Sequence, residues 1–407
     1  MTDVLSQRGL NRATLARQYL LERAPARAIE AIEHLGGMQS QAPLAPYVGL
    51  WTRLQDFAPD ELSALTEERQ VVRLHLMRNT VHLVSVRDCL DWRTLFYPLH
   101  AAEFSAHFRR GTEGVDRDAL LRQAKRLLEE QPRTRSELGK LLFAERWPDA
   151  DPSALAYAAT HHIALCQVPP RGIWGKNGPA AWAPVESWLG APLRSVPVDA
   201  LVLRYLGAFG PASVADIQLW SGLTRLGEVV ERLPLRTFRG EAGQALYDLP
   251  DAPRPSEDMP APPRFLPEYD NLLLSHKDRT RVILDNRSVP LPPGNGATAG
   301  TFLVDGMWQG SLQIRDQTLR ILPFTKLRRA DREALLTEAA QLCAFVAPQA
   351  KYDIVFNNRR SLAGPSVVAD PPRRTAVPAL RTDALTDTLD QAPNDLSEVT
   401  EAVLGRT

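Results

Sequence analysis

The sequence predicts an α+β chain built from three tandem winged-helix units followed by a small C-terminal β-barrel. Three observations predict it. A pattern of capped helix, second helix and short hairpin recurs three times before residue 250. A run rich in proline at 251–263 then reads as a stiff, extended linker. Beyond it, short strand-like segments punctuated by glycine and proline replace the helical periodicity.

Unit 1, assigned to 1–115, shows helical periodicity over 14–21 and 26–35, interrupted near Pro25 and stopped by Gly36 and Gly37. More helix is expected around 46–54 and 59–66. Val72, Leu74 and Leu76 then alternate with Arg73 and His75, and a turn at Arg78 and Asn79 leads back through Val81 and Leu83. That alternation predicts a hairpin with one apolar face and one basic or polar face.

Unit 2, at 116–195, contains Thr134-Arg-Ser-Glu137, a capping box, then a helix over about 152–165. Its wing is expected at 169–182, where Asn177-Gly178 is a turn signal. In unit 3, at 196–250, a helix reaches Gly207, Gly210-Pro211 breaks it, and Ser213 caps the next helix with Asp216 three residues on. A helix at 225–233 and strands at 235–238 and 245–248 complete it. The barrel, at 264–360, is expected to use strands at 282–284, 300–304, 310–314 and 318–321, closed by a helix over 331–346. The tail, 361–407, has few large apolar residues and reads as disordered.

Composition narrows the function. Net charge is zero, so binding to nucleic acid by bulk charge alone is excluded, and clustered cations must do the work. No apolar run is long enough for a membrane span, and the chain starts without the apolar block of a secretory signal, so a cytoplasmic location is expected. Cys89, Cys166 and Cys343 are far apart, with no ligand spacing. His161, His162 and Cys166 come within a helical turn or so of each other, but no second cluster completes a metal site. The 294–300 stretch lacks the lysine and strand-to-helix context of a phosphate loop. Neither metal nor cofactor is expected.

The informative chemistry lies in Gly36-Gly37-Met38-Gln39-Ser40-Gln41-Ala42-Pro43. In extended backbone Gln39 and Gln41 project to one side, and two amides there could hold one water by donating and accepting. A polar loop after a helix is the plain alternative. Arg78 and His82 on the first hairpin, and Arg171, Lys176 and Asn177 in the second wing, are candidate DNA contacts, with solvated surface as their alternative. Trp174 and Trp182 read as packing supports for that wing.

Five segments in register carry a resemblance: Gly37-Met-Gln39-Ser-Gln41-Ala-Pro43, Arg78-Asn-Thr-Val-His82, Arg171-Gly-Ile-Trp174, Gly210-Pro-Ala-Ser-Val-Ala-Asp216-Ile-Gln-Leu-Trp220-Ser-Gly222 and Phe265-Leu-Pro267-Glu-Tyr-Asp270-Asn-Leu-Leu273. Together they resemble the AlkZ-type winged-helix DNA glycosylases. The resemblance implies a C-shaped arrangement around duplex DNA containing alkylated bases and release of bulky or crosslinked adducts at guanine N7; with no dimerisation element in the sequence, a monomer is expected. It assigns Gln39 and Gln41 as catalytic and places His276, Lys277 and Arg279 on a DNA-facing loop, against the alternative of a salt-bridged surface loop. Glutamine rather than aspartate at the second position resembles the branch associated with self-resistance to genotoxic natural products. Ser40 departs from the aliphatic residue usual between the glutamines. The competing functional reading is a non-catalytic winged-helix regulator or damage-binding protein.

Overall fold

The computed structural model describes residues 3–284, 300–315 and 317–356. The chain opens with β1 (Val4–Leu5) and α1 (Gln7–Arg17) and continues through α2 (Ala28–His34), β2 (Met38–Gln39), α3 (Ala45–Trp51), α4 (Pro59–Glu67), β3 (Val71–His75) and β4 (Val81–Ser85). Helices α5 (Val86–Trp92) and α6 (Tyr97–His107) lead into α7 (Arg117–Glu130), β5 (Arg133–Thr134), α8 (Arg135–Glu145), α9 (Pro152–His162), β6 (Leu165–Gln167), β7 (Ala181–Pro184) and α10 (Val185–Leu189). Next come α11 (Val198–Phe209), α12 (Val214–Ser221), α13 (Gly227–Arg232), β8 (Arg236–Gly240) and β9 (Ala245–Asp248). The last part holds β10 (Arg264–Leu266), β11 (Gly300–Val304), β12 (Met307–Arg315), β13 (Thr318–Pro323), α14 (Arg329–Val346) and β14 (Asp353–Phe356).

One order repeats three times: helix, short extended segment, two helices, hairpin. Each time the short segment pairs with the second strand of the hairpin, β2 with β4, β5 with β7, and Ala212 with Tyr247 of β9. Local signals produce much of this. Thr134 and Ser213 close capping boxes with Glu137 and Asp216, and Gly36 and Gly37, both at positive φ, turn α2 into β2. A side chain at position 37 would be strained and would meet Val84 Cγ1 at 2.6 Å.

Partners distant in sequence reshape the expected units. The first two hairpins fuse into one six-stranded sheet, β2-β4-β3-β6-β7-β5, through antiparallel pairing of β3 with β6. Every residue of both strands of the unit 1 hairpin is buried, so the polar side expected to face solvent is interior: Arg73 and His75 lie on one face, and His82, paired with Leu74, on the other. The N-terminal segment packs away from the unit it was expected to open: β1 extends the β8-β9 sheet, and buried Arg17 makes a bidentate ion pair with buried Asp248. The proline-rich stretch is strapped along α1, with Arg17 donating to the Pro253 carbonyl and Arg12 to that of Met259.

The C-terminal sheet runs β10-β11-β12-β13-β14, and its first and last strands do not pair among the described residues, so the expected closure into a barrel is not seen there. Residues 282–284 form turns rather than a strand, although Val282 and Ile283 are buried. Phe265, Phe302, Ile321 and Leu342 share a core with Trp51 and Phe57 of unit 1, so sheet and unit are one packed body. The expected strand connection at 294–300 falls almost wholly outside the described residues, and the 361–407 tail does so entirely.

Candidate active site

Glutamines 39 and 41 flank the end of β2, and both are tied to the tight turn joining β3 to β4. Gln39 Oε1 accepts a hydrogen bond from Arg78 Nη2 at 2.9 Å, and Gln41 Oε1 accepts one from the Val81 amide at 3.1 Å. Both donors can only donate, which fixes each amide with its oxygen toward the turn. Among the described residues neither amide nitrogen has a hydrogen-bond partner. Each glutamine thus keeps two N–H groups and a second oxygen lone pair uncommitted.

Arg78 organises this region. It occupies a left-handed turn position, φ 55°, and its guanidinium also donates to the Trp220 carbonyl at 2.6 Å and to Asn271 Oδ1 at 3.1 Å. Burial, assisted by repulsion from Arg279, pulls its pKa down to about 10, and it remains cationic at neutral pH. Gln39 and Asn271 line a narrow crevice with Gln18, Arg53 and Asp270. Asp270 carries a carboxylate, but both its oxygens accept from Arg53, at 2.8 and 2.9 Å. The pair is buried on both sides and neutral overall.

Other expected contacts fall elsewhere. Arg78, expected to touch DNA, is half-buried and engaged with protein groups, so its place is in the support of Gln39. His82 is fully buried as the cross-strand partner of Gln39. Its Nδ1–H donates to the Thr80 carbonyl at 3.0 Å, and burial, with Arg78 nearby, lowers its pKa to about 3. His276 is also buried, bonded to the Phe209 carbonyl and Ser275, and burial again takes it to about 3. Neither histidine presents a surface to DNA, because each sits under the strand or turn that carries it.

Lys277 is exposed and Arg279 half-buried, and both line a groove shared with Gln7, Ser213 and Gln244. The expected wing at 169–182 folds back: Tyr47 Oη donates to the Gly172 carbonyl and accepts from the Trp174 amide, and the Trp174 ring packs at a tilt against Phe345. Lys176 on that loop pairs with Glu67 at 2.6 Å, Arg171 donates to the Gly178 carbonyl, and Asn177 is exposed. His161 packs among Phe104, Phe108 and Tyr157, and no metal-ligand cluster exists among the described residues. No helix among them is long and apolar enough to cross a membrane.

Sequence reasoning missed Asn271, Asp270 with Arg53, and the burial of Arg73. The Asp-Asn pair stood in a quoted segment, but nothing local says that it meets residue 39.

Comparison with known proteins identifies the family of the chain. The sequence model of the AlkZ-like DNA glycosylases matches residues 32–345. An interstrand DNA cross-link repair glycosylase of Streptomyces sahachiroi is 25% identical over 358 residues, covering 81% of this chain and 93% of that protein. The solved structure of the Streptomyces sahachiroi DNA glycosylase AlkZ superposes with a TM-score of 0.70 at 19% identity, covering 87% of this chain and all of that one, so the two share a fold. With the family sequence model spanning most of its length, this chain belongs to the AlkZ-like DNA glycosylase family.

Proposed function

We propose that the protein is a monofunctional DNA glycosylase that hydrolyses the N-glycosidic bond of bulky or crosslinked N7-alkylguanine in duplex DNA, with Gln39 and Gln41 orienting the attacking water. One observation carries this reading: both glutamine oxygens are anchored by donors of the same hairpin turn, so the two amides are preorganised while their remaining donors and lone pairs stay available. N7-alkylguanine is already cationic and leaves without being protonated, so the site needs no general acid. In keeping with that, the one carboxylate among the crevice-lining residues is neutralised by Arg53, and no lysine is among them to form a Schiff base.

We read the three repeated units as winged helices and the C-terminal sheet as the wall of a barrel, arranged as a C around the duplex. Lys277 and Arg279 are the proposed phosphate contacts beside the third unit. Arg171, Lys176 and Asn177 are those of the second, with Lys176 exchanging Glu67 for phosphate. A bulky adduct suits an open groove better than an extrusion pocket. The role is repair or self-resistance to a genotoxic natural product, performed by a cytoplasmic monomer.

The test is incubation of the protein with a duplex carrying one defined N7-alkylguanine, followed by assay of free base, strand integrity and borohydride-trapped protein. The expected products are free alkylguanine and an intact abasic strand without a covalent adduct. Tight binding with no release across simple and bulky adducts would make the protein a non-catalytic DNA reader, and trapping would contradict the monofunctional mechanism.

A further inference from the structure

Between the two glutamines, Ser40 faces the other way and is completely buried. Its N–H donates to the Val81 carbonyl at 2.8 Å, its hydroxyl accepts from Arg73 Nε at 2.9 Å, and its carbonyl accepts from Arg73 Nη2 at 2.8 Å. Arg73 comes from the middle of β3 and is only 4% exposed. One guanidinium therefore grips both the side chain and the backbone of the residue that separates the candidate catalytic amides.

The backbone contact matters most. The Ser40 carbonyl and the Gln41 N–H lie in one rigid peptide plane, so holding that oxygen fixes the direction in which Gln41 leaves the chain. The Ser40 N–H, held by Val81, does the same for the plane shared with Gln39. Sheet pairing supplies the second constraint but not the first, because β2 ends at Gln39.

The second unit covers the clamp. Gly172 lies over Arg73 at φ +88°, and a Cβ there would stand 3.0 Å from Arg73 Cδ. Tyr47 holds this loop down by bridging the Gly172 carbonyl and the Trp174 amide. Burying a guanidinium carries a desolvation cost that an apolar side chain of similar volume avoids, so stability alone does not explain a cation here.

Resting on the glycosylase reading above, we propose that Arg73 and Ser40 are a positioning pair that sets the Gln41 amide relative to Gln39, with the 169–178 loop of the second unit holding the arginine in place. Neither side chain touches the substrate; both act through the glutamines. Loss of the pair should slow the chemical step and leave DNA binding alone.

The experiment is a double-variant cycle on the full chain, reading single-turnover release of N7-alkylguanine, duplex affinity and thermal midpoint for Ser40→Ala, Arg73→Lys and the double variant. Each single change is expected to lower the rate about 10- to 100-fold with Kd within about threefold, and the double variant should be no slower than the worse single one. Ser40→Thr, which keeps the hydroxyl, should retain most of the rate. Gly172→Ala, which crowds Arg73 without removing a hydrogen-bonding side chain, should lower it. Rates unchanged in folded Ser40→Ala and Arg73→Lys, or losses that multiply in the double variant, would overturn the pair while leaving the glycosylase reading intact. Absence of release by the native protein would overturn that reading and the pair with it.

Discussion

Units 2 and 3 use the polar residues after their first extended segment to start a helix; unit 1 does not. Thr134 and Ser213 each accept the amide of the residue three positions on, and Glu137 and Asp216 return bonds to the cap. In unit 1 the chain leaves β2 at Gln39 and passes through Ser40 and Gln41 to α3, which begins after Leu44 with no side-chain cap. Its polar residues are held by the neighbouring hairpin, Gln39 by Arg78 and Gln41 by the Val81 amide. The same scaffold position thus closes a helix end in two repeats and leaves two amides half-committed in the third.

The contrast between polar groups consumed by structure and polar groups left for chemistry can be broken in several places. The largest expected effect is acid destabilisation. His82, His161 and His276 are buried and held at about 3, so the unfolded chain takes up protons first as pH falls below about 6.5. Their contribution is complete above that pH and lost on the way down toward about 3. At pH 5.5 each removes roughly 1.4 kcal/mol, about 4 kcal/mol together. Asp88, raised to about 6 by burial, works in the opposite sense and offsets part of it. Urea unfolding at pH 7.5 and 5.5 checks this; a midpoint that stays constant would mean that the histidines are not buried as neutral groups.

Next comes the long-range substitute for local capping in unit 1. Arg53, just beyond α3, is held by Asp270, with 2% and 3% of their side chains exposed. Asp270→Asn leaves that cation underpaired and should cost about 3 kcal/mol in urea unfolding. A loss well under 1 kcal/mol would show that the turn at 270 does not anchor unit 1. The smallest effect belongs to the true caps: Thr134→Ala and Ser213→Ala should each cost about 1 kcal/mol, and Thr134→Ala, away from the Lys277 groove, should leave the rate of base release unchanged. A changed rate in Thr134→Ala would mean that this position also serves the chemistry.

What was legible in the sequence follows the range of the interactions. Capping boxes, the glycine pair after α2 and the hairpin turn at Arg78 and Asn79 are local, and their residue types announce them. Gln39 and Gln41 looked like a polar loop by chemistry alone and gained a role only through resemblance to a family. The burial of Arg73 and His276 was illegible because what covers them, the 169–178 loop for the first and α11 for the second, lies far off in sequence. The pairing of Arg17 with Asp248 spans 231 residues, and that of Arg53 with Asp270 spans 217. Periodicity reported that the first hairpin had a polar face; only packing decided that this face is inside.

Whether the two amides of unit 1 serve catalysis is read out by comparing Gln39→Ala and Gln41→Ala with the native chain in single-turnover base release, duplex binding and urea unfolding. A catalytic role predicts a fall in rate of about 100-fold or more for each, the scale of losing one preorganised polar group, with affinity and unfolding midpoint little changed. Release that persists in both variants, or that declines only in step with stability, would contradict it.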